Sequence, residues 1–464
     1  MILNKAFERF VEGTPVCVMI RGSLEYALPE QFVNELFEST AQRQYTRELL
    51  FSDVVDVMGS VVCQVFPSVH AAYQKQCERF SVSRRALYGK INHVEPRTIR
   101  ELVRQTAQRL AAVVRKLQRR SGKKPLLPGF RTRILDGNHL AATEHRIKEL
   151  REIAAGPLPG QILAVLDPDQ RLIVDAFPCV DAHAQERSLL IEVLDSMEPG
   201  QVWIADRNFC TTMFLLEIAL NEAYFVTRQH AKNAPWKPVG EKRKVGRTAT
   251  GVVYEQRVEL YDKWGERLSV RRVTIRLDEP TEDGDTEIHI FTNLPKRVKA
   301  TQITEVYHGR WKLEGAFGEL ATALHCEIGS LGYPSAALFA FAVGILAYDI
   351  LSVVRTSLAA AHGEDCLEHI SAYYLADEIR GMMRGMMVQI PDVQWQRQFG
   401  KLSAQQIANA LVAVAKRVNL ECFRKHPRGP KKTRPKRTKF KNKTHVATAR
   451  ILNESRGTEM LCLQ

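Results

Sequence analysis

The chain has 464 residues, 45% apolar and 25% charged, with a formal net charge of +14. Those shares are ordinary for a globular protein of two or three domains with a large core. The positive balance points to a polyanionic partner, nucleic acid ahead of membrane. Nine scattered cysteines without a C-x-x-C pair argue for reduced thiols, against a zinc site and against a disulfide framework. The N-terminus lacks a signal-peptide apolar region, and the longest apolar run, Ala336 to Tyr348, fits a buried helix better than a membrane span. No strand leads into G-x-G-x-x-G, which argues against a dinucleotide enzyme.

Residues 1–122 read as helical. Arg47 to Met58 has helical apolar spacing, a second helix starts at Pro67, and Ser81-Val-Ser83 caps a small basic helix, Arg84 to Lys90. A helix-turn-helix contact with DNA and a plain bundle are both open there. Val94 to Leu117 predicts a longer arginine-bearing helix, followed by a basic linker, Arg119 to Pro125.

Residues 123–230 alternate strand and helix. A strand from Phe130 leads to Asp136, and His139 to Glu152 is expected to be helical. Strands follow at Gln161–Asp167 and Leu172–Cys179, then a helix over Ser188–Met197. Gln201 to Asp206 is a strand ending in Asp206; a helix over Thr212–Glu222 and a strand over Tyr224–Arg228 come next. Residues 231–303 become β-rich: Lys232 to Arg247 is basic and punctuated by Pro and Gly, and strands are expected at Val252–Leu260, Leu268–Leu277 and Glu287–Thr292. Lys263-Trp264-Gly265 marks a hairpin tip, where Trp264 either stacks on a base or packs against the strands.

Residues 304–360 open with Thr304 to Leu324, expected to be one helix capped by Thr304. Tyr307, Arg310, Glu314, Phe317 and Ala321 share one of its faces. Arg310 and Glu314 alone would read as a surface pair at i,i+4. Two aspartates at strand ends change that reading, because ligand sites gather at the carboxyl ends of strands. Asp136, Asp206 and Glu314 make an oxygen-only set suited to a hard cation such as Mg²⁺. Residues 361–464 return to helices, with a methionine-rich packing segment, Gly381 to Met387. From Arg424 to Lys443 there are eleven Lys or Arg and no acid, which fits either phosphate-backbone contact or a solvated tail.

Asp136, Asp206 with Arg207, and Tyr307-x-x-Arg310-x-x-x-Glu314 resemble the DDE motifs of bacterial insertion-sequence transposases of the IS-four type. Trp311, the run His325 to Phe339 and Arg47-Glu-Leu-Leu-Phe51 resemble that family too, so the likeness spans residues 40 to 450. One departure is Ala321, where the family pattern has a lysine. The resemblance implies an RNase H-like α/β catalytic domain with a β-rich insertion, flanked by helical regions. It implies that Asp136, Asp206 and Glu314 are catalytic and hold two Mg²⁺ ions, with Mn²⁺ able to substitute. Tyr307 and Arg310 would then hold the DNA end, and the role of the missing lysine is vacant or passes to Lys312 or Arg207. The implied partner is double-stranded DNA, at transposon ends and target, bound by a synaptic homodimer; the implied location is the bacterial cytoplasm, at the nucleoid. Two rivals stand beside a transposase: a nuclease of the same fold that cuts without joining, and an inactive DNA-binding derivative.

Overall fold

Seven helices precede the first strand: α1 (Lys5–Gly13), α2 (Pro15–Ala27), α3 (Glu30–Thr40), α4 (Phe51–Val62), α5 (Val69–Lys75), α6 (Arg84–Ile91) and α7 (Pro96–Ser121). The structure, a computed structural model, describes residues 5–76, 80–230, 232–262, 264–281, 284–426 and 445–461. Ser68 and Ser83 accept the Ala71 and Ala86 N–H groups and so cap α5 and α6. Arg84 and Arg85 are exposed, while Leu87 and Ile91 turn into the core. Pro96 opens α7, and Gly122 closes it at φ +68°, a left-handed conformation that suits glycine. The expected linker beyond is pinned: Lys123 Nζ donates to the Pro168 and Asp169 carbonyls, and Leu126 N–H to Asp169 Oδ1 at 2.6 Å.

The strands β1 (Arg131–His139), β2 (Gly156–Leu158), β3 (Gln161–Asp167), β4 (Leu172–Cys179), β5 (Gln201–Ala205) and β6 (Tyr224–Arg228) follow, with α8 (Leu190–Asp195) and α9 (Thr212–Leu220) among them. Next come β7 (Trp236–Pro238), β8 (Arg243–Thr248), β9 (Gly251–Tyr261), β10 (Arg267–Leu277) and β11 (Glu287–Thr292). One sheet runs β4-β3-β1-β5-β6-β11-β10-β9-β7, with β8 also paired to β9. β1, β5 and β6 are parallel to one another; β3 and β4 are antiparallel additions beside β1. Every residue of β3 and β5 is buried, as strands covered on both faces require. Neighbours on β1 separate the two cores: Ile134 joins the one under the helices, Leu135 the one with α8 and α9.

The remaining elements are α10 (Ala300–His308), α11 (Trp311–Thr322), α12 (Pro334–His362), α13 (Cys366–His369), α14 (Ala372–Gln389), α15 (Asp392–Trp395), α16 (Ala404–Ala415), β12 (His445–Ala447) and α17 (Thr448–Leu461). α12 is long and apolar enough to cross a membrane, but its most apolar window is 94% buried inside this fold. It packs on α7, α4 and β4. Its wholly buried Asp349 accepts the Ile173 N–H at 2.8 Å, tying the helix to β4. Most of the basic run Arg424–Lys443, along with Lys263, Cys77 and Cys462, lies outside the described residues.

Four expectations are corrected. Thr304–Leu324 is two helices, and Thr304 is a buried residue within α10 whose Oγ1 donates to Thr301 O. Between them, bonds from Arg310 to Tyr307, Lys312 to Gly309 and Leu313 to Arg310 close three-residue turns that break the helical ladder. His139–Glu152 is not helical beyond one 3-10 turn at Lys148–Leu150. Instead β1 continues along β3 to His139, and the Thr143 and Glu144 N–H groups bond to Pro157 and Gly329. Ser188–Met197 is a 3-10 turn, Glu186–Leu189, followed by the six-residue α8. The basic stretch Lys232–Arg247 supplies β7 and most of β8; charged residues with poor strand propensity are tolerated there because the strands lie at a sheet edge.

Candidate active site

β1 and β5 run side by side and in parallel, and their pairing ends at Leu135 with Ala205. Asp136 and Asp206 are therefore the next residues past that pairing; Asp206 follows β5, whereas Asp136 does not end its strand as expected but lies within β1, which runs on along β3 to His139. α11 packs against β1 and brings Glu314 to that end from its first turn, where the helix dipole favours an anion. Arg310, at the break between α10 and α11, sits among the three. Its Nη1 donates to Asp136 Oδ2 at 3.1 Å and lies 2.7 Å from Glu314 Oε1. The Asp136 and Arg310 side chains are 18% and 12% exposed, against 46% for Glu314, so the centre opens to solvent on the glutamate side.

Burial pushes the Asp136 carboxyl up to about 6; Arg310 and the Gly137 N–H, which donates to Asp136 Oδ1 at 3.0 Å, oppose that rise, while Glu314 and Asp206 add to it. The mutual influence of the three carboxylates is itself a sign of convergence. Tyr307 is buried beside Arg310, and its hydroxyl is pushed up to about 12, chiefly by burial. Asp206 is held through its backbone: its carbonyl accepts the Thr227 hydroxyl at 3.2 Å and the Phe209 N–H at 3.1 Å.

Among the described residues, no group of three or more His, Cys, Asp or Glu side chains is arrayed to hold a metal ion. Asp136, Asp206 and Glu314 lie near enough to influence one another's charge, and the Arg310 guanidinium is ion-paired with Asp136 and Glu314. The other expected contacts are dispersed. Arg207 is exposed directly after Asp206. Lys312 feels Asp169 and Arg171, two residues from Glu314 and so round the helix from it. Trp264 is 68% exposed at the β9–β10 tip, its N–H bonded to Asp262 Oδ1. Ala321 is exposed two turns beyond Glu314.

Two features were invisible in the sequence. Glu186 lies against Gly137: a Cβ built there would stand 2.1 Å from Glu186 Oε1. Glu327 accepts the Ala141 N–H at 3.2 Å and the Asn138 amide at 3.5 Å, bracing the chain beyond Asp136. Neither belongs to a periodic pattern.

Residues 128–348 match the family model of the transposase DDE domain. The matched segment is a little under half of the chain and holds Asp136, Asp206 and Glu314. The chain is also similar to "Putative transposase y4zB" of Sinorhizobium fredii (strain NBRC 101917 / NGR234), with 33% identity over 126 residues. That alignment takes in 26% of this chain and 33% of the relative, so the chain spans about a third of the relative's length. Both likenesses support a DDE transposase, and the mixed sheet with flanking helices is consistent with that domain.

Proposed function

We propose that the protein is an insertion-sequence transposase of the IS-four type that cleaves DNA at inverted terminal repeats and joins the freed ends to a target. The observation that carries this reading is the arrangement of Asp136, Asp206 and Glu314 around Arg310, just past the end of the β1–β5 pairing: Arg310 is ion-paired with Asp136 and Glu314 and feels the charge of Asp206. The order β4-β3-β1-β5-β6, antiparallel on one side of β1 and parallel on the other, supports an RNase H-like core. The all-oxygen donor set fits Mg²⁺, and Arg310 already serves as a stand-in cation for two of the three groups. When bound between these carboxylates, Mg²⁺ supplies activation of a water or a DNA 3′-hydroxyl and charge stabilisation of the oxygen that leaves phosphorus.

The chain's own residues do the rest. Arg310 is planar and bidentate, matched to phosphate as well as to carboxylate. A DNA phosphate entering from the exposed Glu314 side offers it a second partner and frees the carboxylate oxygens for the cation. Tyr307 packs beside Arg310 and restricts its swing. Arg207, exposed next to Asp206, suits the same backbone. The net charge of +14 favours DNA as the polyanion, and a synaptic homodimer in the bacterial cytoplasm is part of the reading.

The test is Mg²⁺-dependent cleavage of supercoiled plasmid carrying the gene with its flanking DNA, by the native protein and by Glu314→Ala. Cuts at discrete flanking positions by the native protein alone support the reading. Equal cutting by both removes Glu314 from the centre. Binding without cutting by either leaves the inactive DNA-binding derivative, and cutting without joined products leaves the nuclease.

A further inference from the structure

We propose that Glu186 is a fourth carboxylate of this centre, a positioning residue that spaces the Asp136 and Asp206 strand ends and whose charge raises their affinity for divalent cations. The inference rests on the transposase reading and names a residue that the three-carboxylate motif does not contain.

The geometry is that of a wedge. Glu186 opens the 3-10 turn Glu186–Leu189 after β4. Its Oε1 lies over Gly137, the residue after Asp136, in space that any Cβ there would fill. The Asn208 side chain, two residues after Asp206, neighbours the same carboxylate and holds its carboxyl down. The next residue fastens the same turn, because Arg187 Nε donates to the Asn208 carbonyl at 2.9 Å. The segment ahead of the wedge is also fixed: Gln161, 1% exposed on β3, donates to the carbonyls of Ala184 at 2.5 Å and Asp181 at 3.3 Å. Glu186 thus touches the chain just beyond each aspartate and is held from behind.

The charge balance points the same way. Burial and the neighbouring Asp206 raise the Glu186 carboxyl, and the smaller opposing influences of Asn208 and Arg187 leave it raised. Among the described residues no cation lies within ion-pair distance of it, whereas Arg310 serves Asp136 and Glu314. A half-buried carboxylate beside another carboxylate stores repulsion that a divalent cation relieves. Carboxylates outside a metal's direct ligands orient those ligands and strengthen the site.

The experiment uses the full chain without DNA and Mn²⁺ as probe, with free Mn²⁺ read by electron paramagnetic resonance and metal-free melting read alongside. Glu186→Gln keeps the shape and removes the charge. It is expected to melt like the native protein and to bind Mn²⁺ about tenfold more weakly, the low end of losses for outer carboxylates. Glu186→Asp, which keeps the charge, is expected to bind more tightly than Glu186→Gln. Asp136→Asn separates the two readings. If it loses Mn²⁺ while Glu186→Gln keeps native affinity, the role of Glu186 is overturned and the centre stands. If neither loses affinity, the reading of the centre itself has failed. A Glu186→Asp as weak as Glu186→Gln shows that charge is not what matters and also overturns the proposal.

Discussion

Removing Arg310 should expose how far the carboxylates depend on a cation. In Arg310→Ala, Asp136 stays largely buried beside two other carboxylates and, among the described residues, keeps the Gly137 N–H as its one hydrogen-bond partner. Breaking a fully buried pair from one side costs about 3–5 kcal/mol, whereas a solvent-exposed pair contributes about 0–1 kcal/mol. The Asp136 limb lies toward the first limit and the half-exposed Glu314 limb toward the second. A loss of about 2 kcal/mol in chelator follows from that position between the limits. Mg²⁺ should restore much of it, since a cation at ten times its dissociation constant contributes about 1.4 kcal/mol. The native protein should gain less, because Mg²⁺ must first displace the guanidinium from the same oxygens. The assay is urea denaturation of both proteins, each in EDTA and in saturating MgCl₂. The reasoning is refuted if the variant is as stable as the native protein in EDTA, or if Mg²⁺ stabilises the two equally. The variant should also lose plasmid cleavage, since nothing then draws the phosphate to the freed carboxylates.

Two further outcomes follow. Gly137→Ala should melt within a few degrees of native, because the nearest obstacle is the far end of the flexible Glu186 side chain; yet it should weaken Mn²⁺ binding as Glu186→Gln does, and native affinity would show that the wedge is not needed. His289 has its imidazole lowered to about 4, first by burial and then by Arg272, and its Nδ1 lies 3.1 Å from the Thr274 hydroxyl. The unfolded chain then binds the extra proton between pH 4 and about 6.5, so stability present above that window is lost as pH falls through it; His289→Gln should flatten the slope by up to ~1 kcal/mol per pH unit in urea titrations at pH 7.5, 6 and 5.

The sheet was largely legible because its central strands carry unbroken apolar runs. The bounds of β3, β4, β6 and β11 coincide with the expected ones, and β5 stops one residue short of the Asp206 expected to end it. Periodicity was also enough to align Tyr307, Arg310 and Glu314, and the ion pair of Arg310 with Glu314 preserves that alignment across the helix break. The break itself left no strong trace, since Gly309 is tolerated inside many helices; a Cβ built there would crowd the Val306 carbonyl at 3.0 Å and Leu126 at 3.2 Å, contacts that only the fold creates. The same limit hid Glu186. Nothing local distinguishes it from Glu192 or Glu198, and only the folding of the chain after β4 over Gly137 brings it to the centre.

The pairing of β6 with β11 has a mechanical meaning. Ile290–Thr292 bond to Val226–Arg228, so the outer strands continue the plane that begins at β4 and cannot pivot as a separate body while those bonds hold. α10 lies across β8, β9 and β10 and ends two residues before Arg310. Load applied at the far hairpin is therefore carried along stiff backbone and delivered at the joint that holds the arginine. If DNA is the partner, as proposed, a grip on it far out on this arm becomes leverage on Arg310, which joins Asp136 to Glu314.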